Sequence, residues 1–161
     1  MILLPCASLH DPWASLVVDG EKTLETRKGS ILSGFSGVLV IHRTLARCVD
    51  YDLSRWGLRV PPRPPGWPED DRGMALGVVY IERTWRPGEL IGRTDTHVWI
   101  RDGHTEAGLQ RRACFDDIHA RYLSEISHAA WFPAPFPATG KQSRFQVEVP
   151  RGHLPAWALA T

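Results

Sequence analysis

LHDPWASLVVDGEKTLETRK, residues Leu9–Lys28, holds a helix start, a helix stop and a strand in close succession. Asp11 is a good N-cap, and Pro12 suits the first turn, where a missing N–H costs nothing. Trp13, Leu16 and Val17 recur at helical spacing, and Gly20 is placed to end the helix in a left-handed cap. The spacing predicts a short helix over Pro12–Asp19. Beyond it, Glu21–Lys28 alternates too regularly for a second helix. On an extended strand, Thr23, Glu25 and Arg27 share one face while Leu24 and Thr26 share the other. Lys22 stands at the junction, where the backbone turns. Two cations and a carboxylate are thereby gathered beside a tryptophan-bearing helix.

Working outward, Ile2–Leu9 reads as a strand feeding that helix, and GSILSGFSG (Gly29–Gly37) as a flexible connector. Val38–His42 is a short, doubly buried strand that ends at His42 and Arg43. Leu45–Trp56 is expected to form a helix started by Thr44 and stopped by Gly57. The run VPPRPPGWPEDD, Val60–Asp71, carries five prolines and reads as a loop with polyproline character. Gly73–Trp85 is a second clear strand, and a further strand is centred on Thr96–Ile100. In Gln110–Ile126, Cys114, Phe115, Ile118, Tyr122 and Ile126 follow helical spacing, so an amphipathic helix is expected. Trp131–Gly140 reads as a second proline-rich connector, Arg144–Val149 as the closing strand, and the tail from Pro150 as an irregular cover.

The length of 161 residues fits one domain, residues 1–161, able to bury a core. Nineteen basic residues nearly cancel eighteen acidic ones, so any nucleic-acid surface must be a local patch. Three cysteines without C-x-x-C spacing, and no basic segment before the brief MILL, point to a reducing cytoplasm. No apolar run approaches the roughly 20 residues that cross a bilayer. His97, His104, His119 and His128, with Cys114, Asp116 and Asp117, lack zinc-finger or HExxH spacing, which points away from a metal. No other cofactor signature is present. Patterns alone give a mixed α/β domain.

The Pro-Trp helix followed by Gly20, Lys22, Glu25 and Arg27 resembles the G-x-K-x-x-E-x-R signature of the ASCH domain family, a branch of the PUA-like proteins. The resemblance covers about the first quarter of the chain. It implies an α+β fold, a PUA-like small β-barrel with flanking helices, in which the signature residues line a cleft. Some small ASCH proteins are amidohydrolases that deacetylate N4-acetylcytidine with a lysine, a threonine three positions later and a remote glutamate. Here Lys22 matches the lysine, but Glu25 stands at the threonine position, putting an anion where a hydroxyl would act. Glu106, then Glu82, are the candidates for the remote acid by order along the chain.

The leading expectation is a nucleic-acid-binding module for RNA, single-stranded DNA or a modified nucleoside. Lys22, Glu25 and Arg27 would hold phosphate and base edge, with Trp13 or Trp67 as a stacking face. Without the resemblance, those three residues would read as a surface ion-pair cluster, and Trp13 as core. His42 and Arg43 follow a strand toward the same cleft, with Arg43 reaching a phosphate or making a structural salt bridge. Lys141, Ser143 and Arg144, in a loop with Gly140, would contact a nucleic-acid backbone or form an ordinary turn. The alternative is a metal-independent hydrolase, nuclease or nucleoside amidohydrolase, using Lys22 and Glu25. A protein-interaction module built on Pro61–Pro68 is the third.

Overall fold

A computed structural model describes residues 1–86, 91–93, 98–100, 104–119 and 121–160, with backbone alone for 91–93 and 98–100. In chain order the elements are β1 (Ile2–Leu9), α1 (Trp13–Val18), β2 (Leu24–Arg27), β3 (Gly37–Arg43), β4 (Met74–Trp85), β5 (Ile91–Arg93), β6 (Val98–Ile100), α2 (Glu106–Ala113), β7 (Tyr122–Pro137), β8 (Phe145–Val149) and α3 (Ala156–Leu159). Six strands form one mixed sheet in the order β2-β7-β4-β3-β1-β8, and β5 pairs with β6 in a separate hairpin. Among the described residues only β1 and β3 pair in parallel, and α1 and β2 intervene between them in the chain. The fold is α+β. Among the described residues the ladders run from β2 at one edge to β8 at the other without joining those edges, so an open sheet stands where a closed barrel was expected.

β4 and β3 are the apolar centre of the sheet. Leu76, Val78, Val79 and Ile81 from β4, and Leu39, Val40 and Ile41 from β3, are all buried. Each such side chain contributes about 1.5–3 kcal/mol. The two faces carry separate clusters. One packs α1 (Ala14, Val17, Val18) on Leu39, Ile41, Leu76 and Val79. The other packs Phe132, Phe145 and Val149 against Leu154 and Ala158, so the tail forms a turn and a short helix rather than an irregular cover. Gly77 sits where β4 and β7 shift register, and a Cβ there would lie 2.2 Å from the Ala130 carbonyl oxygen. Only glycine fits.

Three expected elements differ. Leu45–Trp56 is not a helix: only Leu53–Trp56 forms a 3-10 turn. Asp52 caps it by accepting from Ser54 N at 3.0 Å, and Gly57 ends it at φ +69°. Asp52, which accepts from both the N–H and the hydroxyl of Ser54, offers the backbone a local partner that competes with a longer helix. Gln110–Ile126 is not one helix either. α2 starts earlier, with Thr105 accepting from Gly108 N, and stops where Cys114 turns left-handed at φ 50°. Asp116 and Asp117 therefore lie outside any helix, and Tyr122 onward pairs with β2. Finally, Trp131–Pro137 is strand, not connector. Pro133, Pro135 and Pro137 recur at every second position, so their donor-less nitrogens face one side. The Ala138 N–H bonds to Gly73 O on the β4 side, while β2 covers only Tyr122–Glu125 on the other. The prolines thus face an unpaired edge, where they are tolerated. Of the strand expected at Thr96–Ile100, Val98–Ile100 is present as β6, and Thr96 lies outside the described residues.

The proline-rich loop before β4 is tied down by charge. Arg63 donates to Asp71 Oδ2 at 2.7 Å and to Asp11 Oδ2 at 2.8 Å, and Trp67 Nε1 donates to Asp71 at 2.9 Å. Asp11 also accepts from the Ser15 N–H and hydroxyl, so the expected capping residue serves the first turn of α1, although the helix itself starts one residue later than expected, at Trp13.

Candidate functional site

Gly20, at φ +83°, closes α1, and the Lys22 N–H returns to Leu16 O at 3.0 Å. This turn carries the Lys22 side chain inward. Its ammonium is fully buried, donates to Ala113 O at the end of α2, lies 3.9 Å from Glu25 Oε2 and sits 5.5 Å from the Trp13 ring centroid. Burial is the largest influence and lowers the Lys22 pKa below its ordinary 10.5. Glu25 opposes this, and Arg121 adds to it.

Glu25 is 6% exposed, and its Oε2 is buried with no hydrogen-bond partner. A buried carboxylate oxygen left this way costs about 1–3 kcal/mol or more. Arg121 Nε is likewise buried and unpartnered, with the guanidinium 4.5 Å from the Phe115 ring centroid. Both side chains line one cavity of about 480 Å³, within the range of small-ligand sites. Its walls include Trp13, Phe115, Thr26, Arg27, Lys28 and His10. Four basic side chains (Lys22, Arg27, Lys28 and Arg121) face a single carboxylate, so the cavity favours an anion although the whole chain is nearly neutral.

The β2 alternation is only partly kept. Leu24 packs away with Trp85, Leu109 and Leu123, but Thr26 joins Glu25 and Arg27 on the cavity wall. Trp13 meets Tyr51 edge-on at 4.8 Å and Phe115 at 5.9 Å, so it is anchored in an aromatic cluster while still lining the cavity.

A second cavity of about 650 Å³ continues outward and shares Ser8, His10, Arg27, Thr44 and Gln142 with the first. His42, Arg72, Gly140 and Lys141 line it. His42 Nε2 donates to Ala138 O at 2.9 Å, which leaves Nδ1 to accept from the Ser8 hydroxyl at 3.0 Å. Burial lowers its pKa below 6.5, against the raising effect of nearby backbone carbonyls. A Cβ at Gly140 would lie 2.6 Å from His42 Cε1, so the loop approaches the ring only because residue 140 is glycine. Together the two cavities form one trench.

The structure thus brings Trp13, Lys22, Glu25, Arg27, His42 and Lys141 to this trench. It does not bring Arg43. That guanidinium is 12% exposed and ion-paired with Asp71, with Asp11 at 3.8 Å, so the structural salt bridge replaces the phosphate role. Arg144 lies over Phe35 at 4.7 Å, and neither it nor Ser143 lines either cavity. Trp67 packs edge-on against Trp131 beside the buried acid network, so it is no stacking face here. Glu106 is bound to His119 at 2.5 Å, and Glu82 is exposed on β4. Neither supplies a remote acid to the cavity. The sequence reading missed Phe115 and Arg121 as a pair, because a continuous helix would have separated their roles. His10, Thr26 and Lys28, all within the opening stretch, were missed in plain view.

No protein-family model matches the chain. Among the described residues, no helix is long and apolar enough to cross a membrane, and no three His, Cys, Asp or Glu side chains are grouped to hold a metal.

Proposed function

We propose that the protein binds single-stranded nucleic acid, or a nucleotide presented from it, in the trench that begins at Lys22 and Glu25. One observation carries this: the inner cavity combines four cations, two aromatic walls and two buried polar atoms that have no hydrogen-bond partner. A base flanked by a phosphate would use all three features. Its edge would meet Lys22 and Glu25, its face Trp13 or Phe115, and its phosphates Arg27, Lys28 and Arg121. The next nucleotide would run toward Lys141. A duplex fits poorly, because a concave cavity of this size admits a single base, whereas reading a duplex needs an element inserted into its groove. The reading agrees with the resemblance of residues 12–27 to ASCH domains, and it would make the open sheet a variant of the PUA-like barrel.

The test is a titration of single-stranded RNA, single-stranded DNA and duplex DNA at several salt concentrations, with wild type and Arg121→Gln. Single-strand binding that weakens with salt, and weakens further in the variant, supports the reading. The change in salt slope counts phosphates lost. Binding that is absent, or untouched by Arg121→Gln, overturns it.

Hydrolysis is a second reading, favoured by the lowered pKa of Lys22 beside Glu25. With Glu106 and Glu82 elsewhere, that pair would carry proton transfer, with His10 on the same cavity wall. Turnover of N4-acetylcytidine or of RNA that persists in Lys22→Met would remove it.

A further inference from the structure

Resting on the nucleotide reading, the contrast between the two halves of the trench narrows the form in which a nucleotide is held. The inner cavity offers ring faces, Trp13 and Phe115, beside the Lys22–Glu25 pair. The outer cavity, the larger at about 650 Å³, has no phenylalanine, tyrosine or tryptophan in its wall, and its buried ring, His42, is hydrogen-bonded at both nitrogens. Its wall holds no carboxylate either. Arg27, Arg72 and Lys141 are its arginine and lysine side chains. Arg72 carries its own counter-ion, Asp70, at 2.7 Å. Arg27 gives a hydrogen bond to Ser8 O, and neither it nor Lys141 makes an ion pair among the described residues. Proteins that hold a single strand stack successive bases on successive ring faces, and the outer cavity has no such face for a second base. What it has suits a chain of phosphates: two uncompensated cations, and the backbone N–H groups of Thr139, Gly140 and Lys141, which make no hydrogen bond among the described residues.

We propose that the outer cavity is an oligophosphate site, so that the trench takes a nucleoside 5′-di- or triphosphate, either free or at the 5′ end of a strand. Arg27 lines both cavities, so it stands where the phosphate nearest the sugar passes outward, and Lys141 meets the phosphates beyond it. Each added phosphate brings charge to a wall with no carboxylate to repel it. A second nucleoside in the same place would set its base against cations and N–H groups and gain no stacking.

The experiment is isothermal titration calorimetry of the full chain, without divalent cations, with adenosine, uridine and their 5′-mono-, di- and triphosphates. One purine and one pyrimidine keep base preference apart from the phosphate effect. Affinity is expected to rise by about tenfold for each phosphate beyond the first. Lys141 is exposed, so Lys141→Gln should fold, and in that variant the rise should largely vanish. A 5′-triphosphorylated oligonucleotide and its 5′-hydroxyl counterpart identify the source. Tight binding of the triphosphorylated oligomer supports a strand end, and tight binding of the free triphosphates alone supports a free nucleotide. Equal affinity for mono-, di- and triphosphates overturns the oligophosphate site while leaving nucleotide binding in place. So does a 5′-hydroxyl oligomer that binds as tightly as the triphosphates. Inorganic tripolyphosphate binding as tightly as the nucleoside triphosphates, or binding of none of these compounds, overturns the nucleotide reading and the proposal with it.

Discussion

Two buried ionic clusters flank α1, and they are finished to different degrees. On one side Asp11 and Asp71 accept from Arg63, Ser15, Trp67 and Arg43, at 2.7–2.9 Å for the Arg63 pairs and Trp67. On the other side Lys22 and Glu25 stand 3.9 Å apart, and Glu25 Oε2 receives nothing. Burial penalises both clusters. The first offsets the penalty internally: burial works to raise the Asp71 pKa, and hydrogen bonds from Arg63, Arg43 and Trp67 more than reverse it, holding the carboxyl below its usual range. The second leaves its penalty standing, and it is the one that opens onto a cavity. In the first cluster both carboxylates are satisfied, and Arg43 Nε alone is left without a hydrogen bond; in the second it is the carboxylate itself that is unsatisfied, and beside a cavity such a group is a candidate for a partner.

The contrast can be broken most sharply at Asp71. Asp71→Ala strands Arg63 and Arg43, and it should lower unfolding free energy by about 3 kcal/mol in urea denaturation. Binding by the fraction still folded should be unchanged; a loss of binding without a loss of stability would erase the distinction. Because the Asp71 pKa is depressed in the folded state, its contribution is complete above the unfolded value near 3.8 and disappears as pH falls through the lowered one. Lys22→Met also strands a buried partner, the Glu25 carboxylate, so it should lower stability by about 3 kcal/mol as well; unlike Asp71→Ala, it should also lower the affinity of the fraction still folded, by about tenfold or more.

The sign of the Lys22 effect sharpens the comparison further. Its folded pKa lies below 10.5, so the unfolded chain holds more protons between the two values, and stability rises with pH across that window. Lys22→Met should flatten that rise in thermal melts taken from neutral to alkaline pH. The smallest effect belongs to His42. Its lowered pKa means that stability declines as pH drops below 6.5, and His42→Gln should remove that part of the acid slope. An unchanged slope would mean the ring takes up its proton without cost.

How far the sequence could be read follows from where each feature draws its cause. α1, β1, β3, β4 and β8 are written in local patterns, namely apolar periodicity and turn residues, and the structure has them close to the expected places. The stretch from Cys114 to Tyr122 is different. Its helical spacing is real, yet one left-handed residue at Cys114 ends α2, and Tyr122 then follows the register set by Arg27. The alternate prolines of Trp131–Pro137 looked like loop because nothing local says which edge of a strand will lack a neighbour. Arg43 shows the same limit in the site. Its ambiguity between phosphate and salt bridge is resolved by Asp71, 28 residues away. Lys22, Glu25 and Arg27 were legible as candidates because they sit within one turn and one strand. Their partner walls, Phe115 and Arg121, arrive from the far side of the sequence.

That dispersed origin of the cavity walls bears on how the chain folds. Its lining is drawn from β1, α1, β2, Phe115, Arg121 and Gln142, so it requires β7 to have closed against β2 and the residue 138–142 loop to have reached His42. Such contacts, distant along the chain, carry the largest loop-closure cost and form late. A nascent or proteolytically clipped chain ending before residue 115 would carry the whole signature and still have no cavity. A bound ligand, conversely, would fasten the first and last parts of the chain to one another, and so slow global unfolding more than local fraying.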